Sequence, residues 1–168
     1  MKKVTTSFDY GLNSAAIQFD GENKYLRITD IDDTSNHFKQ SKLTSPDTDL
    51  RFADDYILRE GDILFARTGA SVGKTYKYSE TDGKVYFAGF LIRARINDMN
   101  DTEFIYQNTL TNRYEKFVRI TSQRSGQPGI NAGEYTNFDF FIPSITEQRK
   151  IGILLKKLDD AIYWIHRS

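Results

Sequence analysis

The stretch Pro143 to Ser168 (PSITEQRKIGILLKKLDDAIYWIHRS) constrains this chain most, because its apolar residues line up only on a helix. Ile151, Leu155, Leu158, Ile162 and Ile165 step by 4, 3, 4 and 3, the spacing of a heptad seam, and Leu154 and Ala161 widen that seam into a face. Ser144 and Glu147 make an S-x-x-E capping box, which satisfies two otherwise orphaned backbone donors and sets the helix start. Pro143 closes whatever precedes it. At about 1.5 Å per residue the helix is roughly 33 Å long. A stripe this short ordinarily packs on its own domain's core, since a coiled coil takes about three or four heptads.

The residues leading into and along this helix are also distinctive in kind. A β-like run ending at Pro143, followed by Glu147-Gln148, Ile151, Leu155, Leu158-Asp159 and Ile162, resembles the end of a target recognition domain in type I restriction-modification specificity subunits. In that family the domain runs into a helix of pattern P-x-x-x-E-Q-x-x-I-x-x-x-L-x-x-L-D-x-x-I, and every fixed position is present here. Two upstream stretches match in order. Tyr25 to Ile31 (YLRITDI), after the glycine-containing loop Tyr10-Gly11, resembles the family's first strand. Gly61 to Gly69 (GDILFARTG), completed by Gly73-Lys74, resembles its second hallmark.

The resemblance implies an α+β fold: a β-rich target recognition domain over residues 1–143 and a coiled-coil-like helical arm over 144–168. It implies a DNA specificity component without catalysis or cofactor of its own. The implied partners are double-stranded DNA and the methyltransferase (modification) and restriction subunits. In the family this helix pairs antiparallel with its counterpart, so the expectation is a homodimer reading a split, symmetric site, held by Ile151, Leu154, Leu155, Leu158, Ile162 and Ile165. A full specificity subunit carries two such domains and two long helices. This chain has one domain and a shortened helix, and a half-size subunit, an orphan and a fragment all fit.

Composition narrows the setting. A chain of 168 residues fits one domain with a sizeable core, and its 12 Phe and 10 Tyr favour strands. The absence of Cys excludes disulfides and thiolate metal sites. Val85 to Ile92, the longest apolar run, falls far short of the roughly 18 residues that cross a membrane, and no secretory signal follows Met1, so the expected setting is the cytoplasm. Lys plus Arg and Asp plus Glu number 23 each, which argues against a generally sticky polycation. Their distribution is uneven: residues 1–60 hold 8 basic against 11 acidic residues, residues 61–97 hold 6 against 3, and residues 110–128 hold four against Glu115. One positive face is compatible with that pattern, and so is scattered solvated charge.

Residues 4–20 carry little periodicity. Lys24 to Ile31 reads as a strand, 32–50 as a loop, Ile63-Leu64-Phe65 as a short buried strand, and Val85 to Ile96 as an apolar strand with Arg93 and Arg95 on one face. Thr102 can cap a helix carrying Tyr106, Leu110, Tyr114 and Phe117, and Phe138 to Ile142 reads as a final strand. Two loops lack acids. Arg67 to Lys77, bracketed by Gly69 and Gly73, offers Arg67, Thr68, Ser71, Lys74 and Lys77, and glycines let backbone approach a ligand closely. Thr121 to Asn131 offers Arg124, Ser125 and Gln127, with Arg113 and Arg119 just upstream. Base reading needs phosphate-positioning cations plus donors and acceptors at base edges, and these residue types supply both. Each loop also reads as ordinary surface.

Two enzymatic motifs compete. Gly69 to Thr75 looks like a P-loop, but three residues separate its glycines instead of four and it leads into a strand, where a P-loop must open a helix. Asp62 with Asp82-Gly83-Lys84 has the D…D-x-K order of a metal-dependent nuclease. Asp82-Gly83 is equally a hairpin-turn signal between Tyr76–Ser79 and Val85–Ile92, which places Lys84 at a loop tip. His37 and His166 make no triad or metal spacing. A non-DNA-binding scaffold is the remaining alternative.

Overall fold

The computed structural model describes residues 1–165, apart from the side chain of Trp164. The aromatic surface expected of Trp164, and the terminal His166, therefore lie outside the described residues.

β1 (Thr5–Tyr10), β2 (Ala16–Gln18), β3 (Lys24–Leu26) and β4 (Thr44–Pro46) precede β5 (Asp62–Ala66), β6 (Thr75–Lys77), β7 (Val85–Phe87) and β8 (Leu91–Ile96). Helices α1 (Thr102–Asn108), α2 (Asn112–Thr121), α3 (Ala132–Thr136) and α4 (Ile145–Ile165) follow. The main sheet has four antiparallel strands in the order β1-β8-β5-β6, and two small ribbons pair β2 with β4 and β3 with β7, the latter in parallel. This is the expected mixture of β-rich head and C-terminal helix.

β5 sits inside the sheet, and all five of its residues are buried. Its side chains alternate, as strand geometry requires. Ile63 and Phe65 join Ile92, Ala94, Ile105, Tyr114, Tyr135 and Phe138 under the helices, while Leu64 and Ala66 join Leu26, Ile31, Val85, Phe87 and Leu91 under the ribbons. A strand sandwiched between two cores must be apolar on both faces, which is why DILFA shows no polar alternation.

Several boundaries differ from the sequence reading. Residues 4–20, which show no periodicity, include the edge strand β1. β1 forms because β8 offers it a hydrogen-bonding partner, with a bulge between Thr5 and Ser7. Lys24–Ile31 is a strand only to Leu26, and a 3₁₀ turn at Ile28–Asp30 follows. Val85–Ile96 breaks at Gly89, and Asp82-Gly83 does not close a hairpin, since β6 pairs with β5 and β7 with β3. The chain instead turns there to leave one sheet for another, with Gly83 at φ +76°. The expected helix from Thr102 splits, because Asp101 caps α1 and Thr111 caps α2. Phe138–Ile142 pairs with no strand among the described residues; Phe138 and Phe140 instead bury their rings in the core.

Candidate functional site

The two acid-poor loops, about 60 residues apart in sequence, come together at the C-terminal end of β5. An isolated bridge joins Thr68 to Gly129. Gly69 N donates to Pro128 O at 3.0 Å, and Ile130 N to Arg67 O at 2.9 Å. The first loop is closed at its neck by reciprocal bonds, Gly73 N to Ala66 O at 2.9 Å and Ala66 N to Lys74 O at 2.8 Å. Two buried tyrosines pin it from below: Tyr135 Oη donates to Ala66 O at 2.6 Å and Tyr114 Oη to Gly73 O at 2.8 Å. Gly73 has φ +85°, and a Cβ there would lie 2.5 Å from Val118 of α2. The glycine therefore serves both the left-handed turn and the close seating of the helix. Loop one is a preformed surface with loop two laid along it.

The cations expected to read DNA divide into groups. Arg67 opens loop one and has no ion pair among the described residues. Its guanidinium instead lies 5.0 Å from the ring centre of Tyr10 and 6.0 Å from that of Phe90, and its Nε is buried without a hydrogen-bond partner. Thr68, Ser71, Ser125 and Gln127 keep to the joined loops, with the Gln127 amide 3.1 Å from where a Cβ on Gly69 would stand. Lys74 and Arg119 line one open groove beside α2. Lys74 pairs with Asp33, and Arg124 holds Glu134 at 2.5 and 2.7 Å. Lys77 points away to Glu103 of α1 at 3.1 Å, and Arg113 bonds Asp139 O at 2.7 Å.

Acids from outside the loops thus neutralise four of the six cations. Arg93 and Arg95 never reach the surface as a positive face: Arg93 bonds Asp9 at 2.9 Å and stacks on Phe87, and Arg95 grips Asp62 with two bonds of 2.8 and 3.0 Å. The positive balance of residues 61–97 is offset by acids from outside that stretch, Asp9 on Arg93, Asp33 on Lys74 and Glu103 on Lys77. Tyr10 and Phe90, the two rings that flank Arg67, escaped the sequence reading. Tyr10 lay in the aperiodic stretch and Phe90 inside an apolar run, where Gly89 was the one available sign of a break.

The nuclease residues are separately committed. Asp62 is fully buried, accepts from Arg59 N at 2.9 Å as well as from Arg95, and holds the Arg95 guanidinium above its ordinary range. Asp82 accepts from the Tyr76 hydroxyl at 2.6 Å; burial, with Asp82 beside it, pushes that hydroxyl far up, so it remains a donor. Lys84 lies over the Tyr86 ring. The described residues contain no group of His, Asp and Glu able to hold a metal ion.

The helical arm docks by an edge other than its seam. Ser144 and Glu147 form the expected box, with Ser144 N at 3.1 Å and Oγ at 2.6 Å from Glu147 Oε2. Gln148 is buried: its Oε1 accepts from Asp101 N at 3.0 Å and its Nε2 donates to Pro143 O at 3.0 Å and Asn100 Oδ1 at 3.2 Å. Gly152 passes so close to α1 that a Cβ would stand 2.6 Å from Asp101 Oδ1 and 3.1 Å from Phe104 N. Asp159 accepts from Gln107 at 2.6 Å, and Tyr163 meets His37 edge to face at 5.3 Å between ring centres. At about 100° per residue this docking stripe is rotated by roughly a quarter turn from the seam. Ile151, Leu154, Leu158, Ile162 and Ile165 stay 39–72 % exposed, and Leu155 at the boundary is half-buried. The head thus covers less of the seam than expected.

Comparison with known proteins agrees with this architecture. The structure superposes on an HsdS subunit from Thermoanaerobacter tengcongensis with a TM-score of 0.69 at 16 % identity, covering 99 % of this chain and 42 % of that one. It superposes on a chain from a study of complex assembly and conformational transition of the type I R-M system with a TM-score of 0.65 at 17 % identity, covering 98 % of this chain and 38 % of that one. This chain therefore spans about two-fifths of the length of either. The sequence model of the type I restriction modification DNA specificity domain matches residues 11–167. With nearly its whole length inside that model, the chain belongs to the type I restriction modification DNA specificity domain family.

Proposed function

We propose that this chain supplies DNA sequence specificity to a type I restriction-modification assembly in the cytoplasm, as one recognition head (residues 1–143) on a helical arm (144–168), and performs no catalysis itself. The observation that carries this reading is the joining of two acid-free loops at Thr68–Gly129 into one polar surface. Arg67 and Arg119 are its cations without an ion pair among the described residues. Arg124, in a partly exposed pair with Glu134, can exchange that carboxylate for a phosphate, and the Asp33 that holds Lys74 is itself exposed enough to be displaced. Ser71, Ser125, Gln127 and Thr68 supply donors and acceptors for base edges. Lys77 and Arg113, turned toward Glu103 and Asp139, contribute at most at the rim.

The arm is the contact with the rest of the assembly. Ile151, Leu154 and Leu158 of its apolar seam stay exposed beside the head. At about two and a half heptads the seam is too short to pair stably as an isolated coiled coil, so the head's docking of α4 and a second helix would act together. The simplest partner is the same helix of a second copy, which would place two heads on a two-fold axis; methyltransferase and restriction subunits then join the paired arms.

A gel-shift titration against duplexes selected from a random library tests the reading. Specific binding that weakens steeply with salt, and falls in Arg67→Ala and Arg119→Ala, is the expected result. Silence at low salt would leave a scaffold. Plasmid cleavage with Mg²⁺, abolished by Asp82→Ala, would overturn the non-catalytic reading.

A further inference from the structure

We propose that the cleft beside Arg67 holds a single unstacked nucleobase of a bound DNA strand, stacked on the exposed rings of Tyr10 and Phe90. The proposal rests on the DNA-recognition reading above and adds to it a base taken out of the duplex.

The cleft, about 530 Å³, lies between the chain leaving β1 and the Ala88–Phe90 turn. Its size falls in the roughly 300–1,000 Å³ range of small-ligand sites. Its walls are fixed before any ligand arrives. Leu12 N donates to Phe87 O at 2.8 Å and Gly11 N to Leu91 O at 3.2 Å. Gly11 presses so near the opposite wall that a Cβ would stand 2.1 Å from Ala88 O. From the floor, Tyr25 Oη donates to Leu12 O at 2.7 Å and Ser14 O at 3.1 Å.

The lining contains two arginines, Arg27 and Arg67, and no Asp or Glu. Arg27 is held by Asp30, whereas among the described residues the Arg67 side chain meets the rings of Tyr10 and Phe90 and has a buried Nε with no hydrogen-bond partner. Tyr10 and Phe90 remain 45 % and 61 % exposed although both contact Arg67. A planar, electron-rich ligand with acceptors on its edge suits the rings and the outer nitrogens of the Arg67 guanidinium, the buried Nε staying out of its reach: it stacks on the rings and accepts from the terminal amino groups, as guanine O6 and N7 do. The cleft is continuous with the joined loops, since Arg67 begins loop one and Tyr10 Oη accepts from Ala132 N, just past loop two, at 3.2 Å. A base swung out of DNA lying on those loops therefore meets the cleft directly.

The test uses the full chain and duplexes carrying its selected site, with one base at a time left opposite a mismatch or an abasic position. Unpairing a base that must leave the stack removes a cost of a few kcal/mol, so at one position of the site binding should tighten about tenfold or more. Phe90→Ala should abolish that tightening and weaken binding to the paired duplex by about 5- to 100-fold. Phe90→Leu, equally apolar but unable to stack, should behave alike, and unchanged thermal unfolding checks that either variant is folded. The same chemistry could be presented by a free nucleotide, so a mononucleotide titration runs in parallel; tight mononucleotide binding without any mismatch effect would overturn the proposal. So would mismatches that only weaken binding, or tightening that persists in Phe90→Ala. Failure to select any sequence would overturn the DNA reading itself and the cleft's role with it.

Discussion

Substituting Gly152 by alanine should destabilise this protein, although the same change in an ordinary exposed helix stabilises it. Gly152 lies in the interior of α4, where alanine is favoured by about 0.5–1 kcal/mol. Here the added methyl would stand 2.6 Å from Asp101 Oδ1, 3.1 Å from Phe104 N and 3.2 Å from Glu103 Cβ. Asp101 Oδ1 is the N-cap acceptor of α1, bonded to Phe104 N at 2.8 Å. The methyl must therefore break that cap, costing about 0.5–2 kcal/mol, or push α4 off α1, an overpacking cost of about 1–3 kcal/mol. At mid-range the two routes cost about 1 and about 2 kcal/mol against a gain of about 0.75, for a net loss of up to about 1 kcal/mol, or roughly 2–4 °C in melting temperature for a chain of this size. Urea unfolding of Gly152→Ala should show a lower midpoint at an unchanged slope. In an Asp101→Ala background the added cost should shrink, because the two changes attack one contact. A Gly152→Ala protein that melts higher than the parent would refute the claim that close docking, and not sequence habit, places glycine there.

Other outcomes follow from the same geometry. Leu154→Asp with Leu158→Asp, both more than half exposed, should leave the head's melting within about 0.5 kcal/mol and abolish self-association in sedimentation; a strictly monomeric parent would remove the arm's role in dimerisation. Arg95→Ala strands a fully buried carboxylate at Asp62 and should cost about 3–5 kcal/mol in denaturant unfolding. Gly73→Ala should cost more than a loop substitution normally does, and Val118→Ala should restore the packing part but not the part due to φ +85°. The Ser144 hydroxyl and amide hold the Glu147 carboxyl below its usual range, so the capping box contributes stability above the ordinary glutamate pKa and loses it as pH falls through the lowered one. Ser144→Ala should therefore melt closer to the parent in acid, below about pH 4, than at neutrality.

Local periodicity and capping were legible in the residues themselves. The box at Ser144 and Glu147, the helix it starts, the buried strand at Ile63–Phe65 and the glycine-bracketed loop after it each depend on neighbours a few positions away, so spacing alone reveals them. The tertiary structure decided what depends on distant partners. β1 exists because β8 pairs with it, and nothing within residues 5–10 announces a strand. The rotation of α4 onto α1 was equally hidden: the eye follows Ile151 to Ile165, whereas burial went to Gln148 and Gly152, where a buried amide finds three partners and a missing side chain permits contact. Charge was the least legible quantity. An arginine counts the same in composition whether it grips a buried Asp62, as Arg95 does, or stacks between Tyr10 and Phe90 without an ion pair among the described residues, as Arg67 does. Coulomb attraction acts through space, so only the folded chain determined which cations were spent and which remained for a partner.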